Sequence, residues 1–315
     1  MLRIAVVGAG TMGRHHIRIL AGLPGVELVA VVDPAVDPVH PSVAVHGVPV
    51  LRSIADLPQV EAAVLATPTH EHFQVGAELL ERGVHLLVEK PLALDETDAA
   101  RMVQLARQRG LTLAVGHVER FNAAFALLKT VCREPTMISF ERLSPFTPRI
   151  ADSVVTDLMI HDLDMAMWLL GEYPTDVHAV GTTVFSDVID VASAVLRFPS
   201  GCIATLQASR ATQDKVRRVS VGEKDRFIVA DSIRQDVMIK RETTVNFSDD
   251  DGPQAYRQAN TVEIPYLDRS GEPLMRELAD FVSAVADRRQ PLVTGEDGLR
   301  AVRLAREIED QIAAG

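Results

Sequence analysis

Up to residue 117 the chain alternates two hydrophobic rhythms. The runs RIAVVG, VELVAVVD, EAAVLATP, VHLLVEKP and LTLAVGH, with a short VPVL, are nearly continuous in apolar residues and of strand length. Between them, MGRHHIRILAGL, EHFQVGAELLERG and DETDAARMVQLARQRG place apolar residues at helical spacing. Strands that are apolar on both sides of the pleat are covered on both faces. The pattern therefore predicts a parallel sheet flanked by helices, a doubly wound α/β arrangement. The last two helical stretches end in Gly83 and Gly110, the residue type that closes a helix. The second half changes rhythm. TMISFERL, DVHAVGTTVF, DVASAVLRF, CIATLQASR, RRVSVGE, RFIVAD and DVMIKRE are strand-like runs bounded by turn residues. The polar stretch SDDDGPQAYRQAN reads as a solvated loop, and two helical patterns close the chain. Two domains are expected, a dinucleotide-binding Rossmann domain over 1–117 and an α/β domain over 118–315, whose final helices can pack back on the first.

Composition narrows the classes. The 315 residues are 47% hydrophobic and 24% charged, with a formal net charge of −11. An acidic chain without a basic stripe is a poor match for nucleic acid. Its apolar runs fall short of the roughly 18–20 residues that span a bilayer. RIAVVGAG opens a strand at once, so no cleavable leader is expected, and neither a nucleic-acid nor a membrane partner. Cys132 and Cys202 lack metal-type spacing and lie in or beside apolar stretches, which suits buried thiols in a reducing cytoplasm. The expected setting is cytoplasmic, with a small-molecule substrate.

The first strand runs into GAGTMG. Gly8 permits the tight turn, Gly10 lets the backbone approach a pyrophosphate, and Gly13 allows close helix–strand packing. The helix that opens there offers free N–H groups and its positive dipole end to phosphates. Asp33 ends the second strand 20 residues after Gly13, placed to accept the ribose hydroxyls of NAD and to repel the 2′-phosphate of NADP. The sequence sets no arginine beside it, so NAD is expected in preference to NADP. ATPTHEHF and EKPLALD follow later strands at the same sheet edge. His70 and His72 have H-x-H spacing, but a loop entering a helix, with His72 packing or capping locally, accounts for them without a metal. Lys90 ends a strand immediately before a proline and is expected to point toward the nicotinamide.

One further stretch concentrates chemistry. In TDLMIHDLDMAMWLL, read as a helix, Asp157 and His161 are four residues apart and share a face, whereas Asp162 points about 100° away at ~3.6 residues per turn. The preferred reading is a dyad in which Asp157 orients His161 or contacts a substrate hydroxyl. His161 then exchanges the proton of an alcohol undergoing oxidation. No metal is required for this, and Asp162 and Asp164 are assigned structural places.

The order and spacing of GAGTMGRHH, VVDP, ATPTHEHF and VEKPLA, continued by DLMIHDLDMAMWLLG and PLMRELADFVSAVADRRQPLVTGEDGLRAVRLAREI, resemble the glucose–fructose oxidoreductase/inositol dehydrogenase (Gfo/Idh/MocA) family over essentially the whole chain. The resemblance implies a Rossmann domain followed by an α/β domain with an open, mainly antiparallel sheet that commonly mediates homo-oligomerisation. It implies cofactor contacts at Gly8, Gly10, Thr11, Met12, Gly13, Asp33, Thr67, Pro68, His70, Glu89 and Lys90. It also places the catalytic lysine at Lys90 and the paired Asp and His at Asp157 and His161. Within the family, GHVERFNAA, RLSPFTPRI and DLMIHDLD are most similar to nucleotide-sugar 3-dehydrogenases of the UDP-N-acetylglucosamine type. Ala123 departs from that group, which usually has proline there.

On that resemblance the expected reaction is oxidation of a secondary hydroxyl, at C3 of a UDP-N-acetylhexosamine, with hydride passing to NAD. Arg120, Arg142 and Arg149 are candidates for the phosphates, and Glu119 and Asn122 for sugar hydroxyls. Lys90, Asp157 and His161 would also touch the substrate. Two alternatives remain open: a free cyclitol or aldose dehydrogenase, and a non-catalytic NAD-sensing regulator.

Overall fold

In the computed structural model, which describes residues 1–35, 46–147, 152–247 and 255–315, strand β1 (Leu2–Val7) is a central member of a six-stranded parallel sheet. Its companions are β2 (Val26–Val32), β3 (Val50–Leu51), β4 (Ala62–Leu65), β5 (His85–Val88) and β6 (Leu113–Val115). The order is β3-β2-β1-β4-β5-β6, so the direction of winding reverses between β1 and β4. Alternate residues feed opposite faces. Ala5, Val7, Leu65, Leu86 and Val88 pack with Leu79, Leu80 and Met102, from the helices His72–Glu81 and Glu96–Arg109. Ile4, Val6, Val31, Val64 and Leu87 pack with Ile17 and Leu20 of helix Thr11–Leu20 and with Leu278 and Phe281 of helix Pro273–Asp287. Each of the larger side chains, moved from water to full burial, contributes about 1.5–3 kcal/mol. Two-sided burial is thus the cause of the unbroken apolar runs. The helix Glu96–Arg109 has the expected punctuation: the Asp95 side chain accepts the Asp98 N–H, and Gly110 follows at φ +64°.

The chain divides into two compact units, Met1–Phe121 with Gly271–Arg306, and Asn122–Ser270 with Glu307–Gly315. The helix Pro273–Asp287 therefore completes the first unit although it is encoded near the end of the sequence.

The second unit is built on an eight-stranded sheet of β7 (Met137–Leu143), β8 (Asp176–Thr182), β9 (Val191–Arg197), β10 (Ile203–Ser209), β11 (Val216–Gly222), β12 (Arg226–Asp231), β13 (Asp236–Phe247) and β14 (Ala255–Glu263). The order is β14-β13-β12-β11-β7-β10-β9-β8, and only the β7–β10 pair is parallel. Here burial alternates along β9 and along β10 as far as Ala208, as in a sheet covered on one face. The helices Ala123–Val131 and Ile160–Leu170 lie against β12–β13 and β7–β10 respectively. The polar stretch 248–260, expected as a loop, instead contributes residues 255–260 to β14, which pairs with β13 from Ile239↔Glu263 to Phe247↔Ala255. An edge strand is held by main-chain pairing to a single neighbour, so it can form without apolar alternation. Residues 248–254 lie outside the described residues. Cys132 and Cys202 are free thiols, and burial pushes them up to about 12 and about 11.

One buried charge group in the first unit departs from the apolar pattern. Helix Pro273–Asp287 packs on Thr11–Leu20 and on the turn Val118–Phe121, and its core face includes Glu277 beside Leu278 and Phe281. The Glu277 carboxyl is buried, and neither oxygen has a hydrogen-bond partner among the described residues. Burial first, then the negative charges of Glu89 and Asp280, push its pKa well above the ordinary carboxylate value. The folded chain then keeps a proton that the unfolded chain releases near pH ~4.3. Stability from this group is complete below that pH and is lost as pH rises toward the folded-state pKa. Glu277→Gln, which needs no proton, is expected to melt above wild type at about pH 8, by about 2–4 °C per kcal/mol regained, and to converge on it near pH 4.5. Thermal melts at the two pH values check this; a variant melting lower at the higher pH would assign the ionised carboxylate a stabilising role.

Candidate active site

The turn after β1 is built for close approach. Gly8 sits at φ +94°, and a Cβ there would come within 2.4 Å of the Ala66 carbonyl oxygen. A Cβ on Gly13 would lie 1.9 Å from the Gly8 carbonyl oxygen, whereas one on Gly10 would meet open space. Gly10 is the N-cap of helix Thr11–Leu20, with no side-chain cap and no acid in the first turn. Gly10, Thr11 and Met12 are exposed, so the dipole end and its N–H groups are open to an anion. These features fit a dinucleotide pyrophosphate.

Asp33 follows β2, and its carboxylate accepts the N–H groups of Ala9 and Ala35, each at 2.8 Å. It thereby ties the glycine turn to the end of β2. The expectation that no arginine stands nearby holds for the sequence and not for the fold. The β2–β3 pairing brings in Arg52, whose Nη1 donates to the carbonyls of Pro34 at 2.9 Å and Asp33 at 3.4 Å.

Two more loops end strands of the same sheet. After β4, Thr67 has a buried hydroxyl without a hydrogen-bond partner among the described residues, while Pro68 and His70 are exposed. His72 is buried and does not face a metal: its ring nitrogens lie 2.9 Å from the Pro91 carbonyl and 3.0 Å from the Thr67 carbonyl. It tethers the loop after β4 to the loop after β5. Burial, against the pull of those carbonyls, keeps its pKa below the ordinary value. After β5, Glu89 is buried, and its Oε1 accepts from His16 Nε2 at 2.8 Å. Burial opposes the charge on Glu89. The hydrogen bond and charge of His16, with Lys90 close by, outweigh it and hold the carboxyl below the ordinary range. The Lys90 N–H donates to Glu89 Oε2 at 3.3 Å, and Lys90 itself is half-buried. Gly116 makes room for this pair, since a Cβ there would stand 3.0 Å from Glu89 Oε2.

The second unit holds Asp157 and His161, and it corrects the regular helix expected from Thr156 onward. Val155–Met159 is a π-turn, closed by the Ile160 N–H on the Val155 carbonyl, and only Ile160–Leu170 is α-helical. Ser153 starts the segment, accepting the Val155 N–H on its hydroxyl and the Asp157 N–H on its carbonyl. The π-turn puts one extra residue into the loop that carries Asp157, a distortion common at functional sites. His161 is half-buried with Nδ1 covered. Asp157 keeps 22% side-chain exposure and has the Nη2 of Arg210, a buried residue, 3.5 Å from its Oδ2. Asp162 and Asp164 are buried. Asp162 takes Arg142 through both Nε, at 2.9 Å, and Nη2, at 2.7 Å.

The remaining candidates have internal partners. Arg120 is buried in the first unit, with Nη2 3.2 Å from Asp297 and Nη1 donating to the Leu292 carbonyl. Asn122 caps helix Ala123–Val131, accepting the Ala124 N–H, and donates to the Ser232 carbonyl. Glu119 is half-buried in the turn Val118–Phe121. Arg149 lies outside the described residues. Two groups escaped the reading of the sequence: His16 under Glu89, and Arg210. Each is separated in sequence from the residue it serves, so spacing gave no signal beyond a polar residue at the end of an apolar run. Among the described residues no group of three His, Cys, Asp or Glu side chains could hold a metal ion, and no helix is long and apolar enough to cross a membrane.

Residues 2–117 match the NAD-binding Rossmann fold of the Gfo/Idh/MocA oxidoreductase family, and residues 133–228 match the Gfo/Idh/MocA C-terminal domain. UDP-N-acetylglucosamine 3-dehydrogenase of Acidithiobacillus ferrooxidans is 32% identical, over 99% of this chain and 98% of its own. Its solved structure superposes with a TM-score of 0.88, at 31% identity over 99% and 98% of the two chains. Myo-inositol 2-dehydrogenase of Thermotoga maritima is 29% identical over 96% of this chain and 94% of its own. With the glycine turn, the winding of the first sheet and the mixed second sheet all in agreement, the chain belongs to the Gfo/Idh/MocA family of oxidoreductases.

Proposed function

We propose that the protein oxidises a secondary hydroxyl of a UDP-N-acetylhexosamine, at C3 of the sugar, using NAD. The observation that carries the substrate class is the end-to-end similarity to UDP-N-acetylglucosamine 3-dehydrogenase, in sequence and in fold. The exposed, uncapped start of helix Thr11–Leu20 would hold the pyrophosphate, and Asp33 the adenosine ribose. Bound NAD supplies the hydride acceptor. His161 accepts the hydroxyl proton as the carbon gives up its hydride and becomes a ketone, and Asp157 supports the imidazole in that role. The Lys90 ammonium stabilises the alkoxide character that develops on the oxygen. Homo-oligomerisation through the second sheet is part of the same reading. Its uncovered face carries Met137, Val195, Ile203, Phe227 and Met238, all at least 37% exposed.

A second reading, oxidation of a free cyclitol or aldose, is favoured by one observation. Arg142 and Arg120, expected at phosphates, are paired with Asp162 and Asp297. Absorbance at the reduced-nicotinamide band separates the two. Purified protein with NAD is expected to respond to UDP-N-acetylglucosamine and not to myo-inositol, with NADP at least about tenfold poorer, the repulsion of a phosphate by Asp33 being worth about 1.4 kcal/mol or more. Response to myo-inositol alone would replace the nucleotide-sugar reading, and equal rates with NADP would show that Arg52 offsets Asp33.

Two substitutions test the roles. His161→Ala is expected to lower kcat by about 10²-fold or more while NAD affinity stays unchanged, and unchanged turnover would remove His161 from the chemistry. Gly13→Ala forces a methyl onto the Gly8 carbonyl. Fluorescence titration is expected to show loss of NAD binding with the circular dichroism spectrum retained; wild-type affinity would count against this turn as the pyrophosphate site.

A further inference from the structure

Arg210 follows β10, and its N–H donates to the Asp190 carbonyl at 2.9 Å. Asp190 is itself firmly seated. Its carboxylate accepts the N–H groups of Val184, Phe185 and Ser186 and the Ser186 hydroxyl; burial opposes its charge, but these donors prevail and hold it down to about 2. The backbone of Arg210 is therefore fixed by an anchored turn. Its side chain is 1% exposed, and Nε, Nη1 and Nη2 are all covered without a hydrogen-bond partner among the described residues. The Asp157 carboxylate lies within salt-bridge range of it, at 3.5 Å.

The same unit shows what a structural arginine pair looks like. Arg142 and Asp162 meet side-on through two nitrogens at 2.7–2.9 Å, each with 4% side-chain exposure. Arg210 and Asp157 differ on each count. They meet at one nitrogen, at a longer distance, and the carboxylate remains 22% exposed. A buried guanidinium that leaves donors unmade costs about 1–3 kcal/mol or more, and such a group in a native protein calls for an explanation. Asp157 also sits on the π-turn, where the main chain is less regular than in an α-helix. A fixed cation behind it restricts where the carboxylate can go.

We propose that Arg210 is a positioning residue that holds the Asp157 carboxylate in the orientation that supports His161. It acts through Asp157 and does not contact substrate. The proposal rests on the reading of Asp157 and His161 given above. A rigid, planar guanidinium suits this place better than a lysine, because its fork restricts direction as well as distance.

The test is a double-mutant cycle in the full-length protein: wild type, Asp157→Asn, Arg210→Met and the pair together. Turnover is measured with NAD and whichever of UDP-N-acetylglucosamine or myo-inositol reduces it, with thermal melts to confirm folding. Each single variant is expected to lose about 30-fold or more in kcat with NAD affinity unchanged, and the double variant to lie within about threefold of Asp157→Asn, since residues acting as a unit are not additive. Arg210→Lys, which keeps the charge and loses the fork, should fall between wild type and Arg210→Met. It carries the same cycle if the methionine variant does not fold. Additive losses, or full activity without the guanidinium, would overturn the proposal and leave Arg210 a core residue. Full activity of Asp157→Asn would instead overturn the reading of Asp157, and the positioning role with it, as would turnover of neither substrate.

Discussion

The contact between Gly13 and the Gly8 carbonyl is the constraint on which the nucleotide end of the first unit depends. With only 1.9 Å available to a Cβ, the helix Thr11–Leu20 can start where it does only if position 13 has no side chain. That start fixes the helix axis over the sheet, so Ile17 and Leu20 meet Val6 and Val31 in one core layer. It also leaves the first N–H groups of the helix facing outward without a side-chain cap. Asp33 reinforces the arrangement by holding the Ala9 N–H at 2.8 Å, so the end of β2 and the turn after β1 move as one piece. Packing and the open helix start are set by the same few atoms.

The loops that follow β4 and β5 are disciplined by buried polar bonds instead. His72 links the carbonyls of Thr67 and Pro91, and His16 holds Glu89, whose neighbour in the chain is Lys90. An ionised carboxylate at Glu89 next to a buried Glu277 with a raised pKa is internally consistent. Two carboxyls in one low-dielectric region do not both ionise, and the one with a histidine donor keeps the charge. The stability cost of the second acid falls on the helix Pro273–Asp287, which otherwise packs through Leu278 and Phe281.

Much of this was legible in the sequence because its cause is local. Apolar runs of strand length marked each strand of the first sheet, Gly83 and Gly110 marked helix ends, and the glycines of GAGTMG marked the tight turn after β1. The features that escaped depend on distant partners. Arg52 reaches the main chain beside Asp33 only because β3 pairs with β2. Ala255–Glu263 is a strand because β13 offers an edge, not because its residues alternate. Arg120 and Asn122, expected at a substrate, bond to Leu292 and Ser232, far from them in the chain. The π-turn at Val155–Met159 is the opposite failure: a local irregularity inside a segment whose composition is that of an ordinary helix.

Three of the buried arginines, at 120, 142 and 210, show why residue type alone misassigns them. A guanidinium taken out of water needs an anion, and the fold provides Asp297, Asp162 and Asp157 respectively. What separates them is the state of the anion. Asp162 has 4% exposure and is matched through a bidentate contact, so the pair is closed. Asp297 also takes the Thr294 hydroxyl and N–H, which with Arg120 hold its pKa down against the effect of burial and fix the entry to the last helix. Asp297 keeps 24% side-chain exposure and Asp157 22%, but Asp157 is the one on an irregular turn, with its cation at the longer 3.5 Å. Charge pairing that closes an anion builds structure. Pairing that leaves an anion partly accessible occurs at both Asp297 and Asp157, so the irregular turn and the His161 four residues further on are what set Asp157 apart.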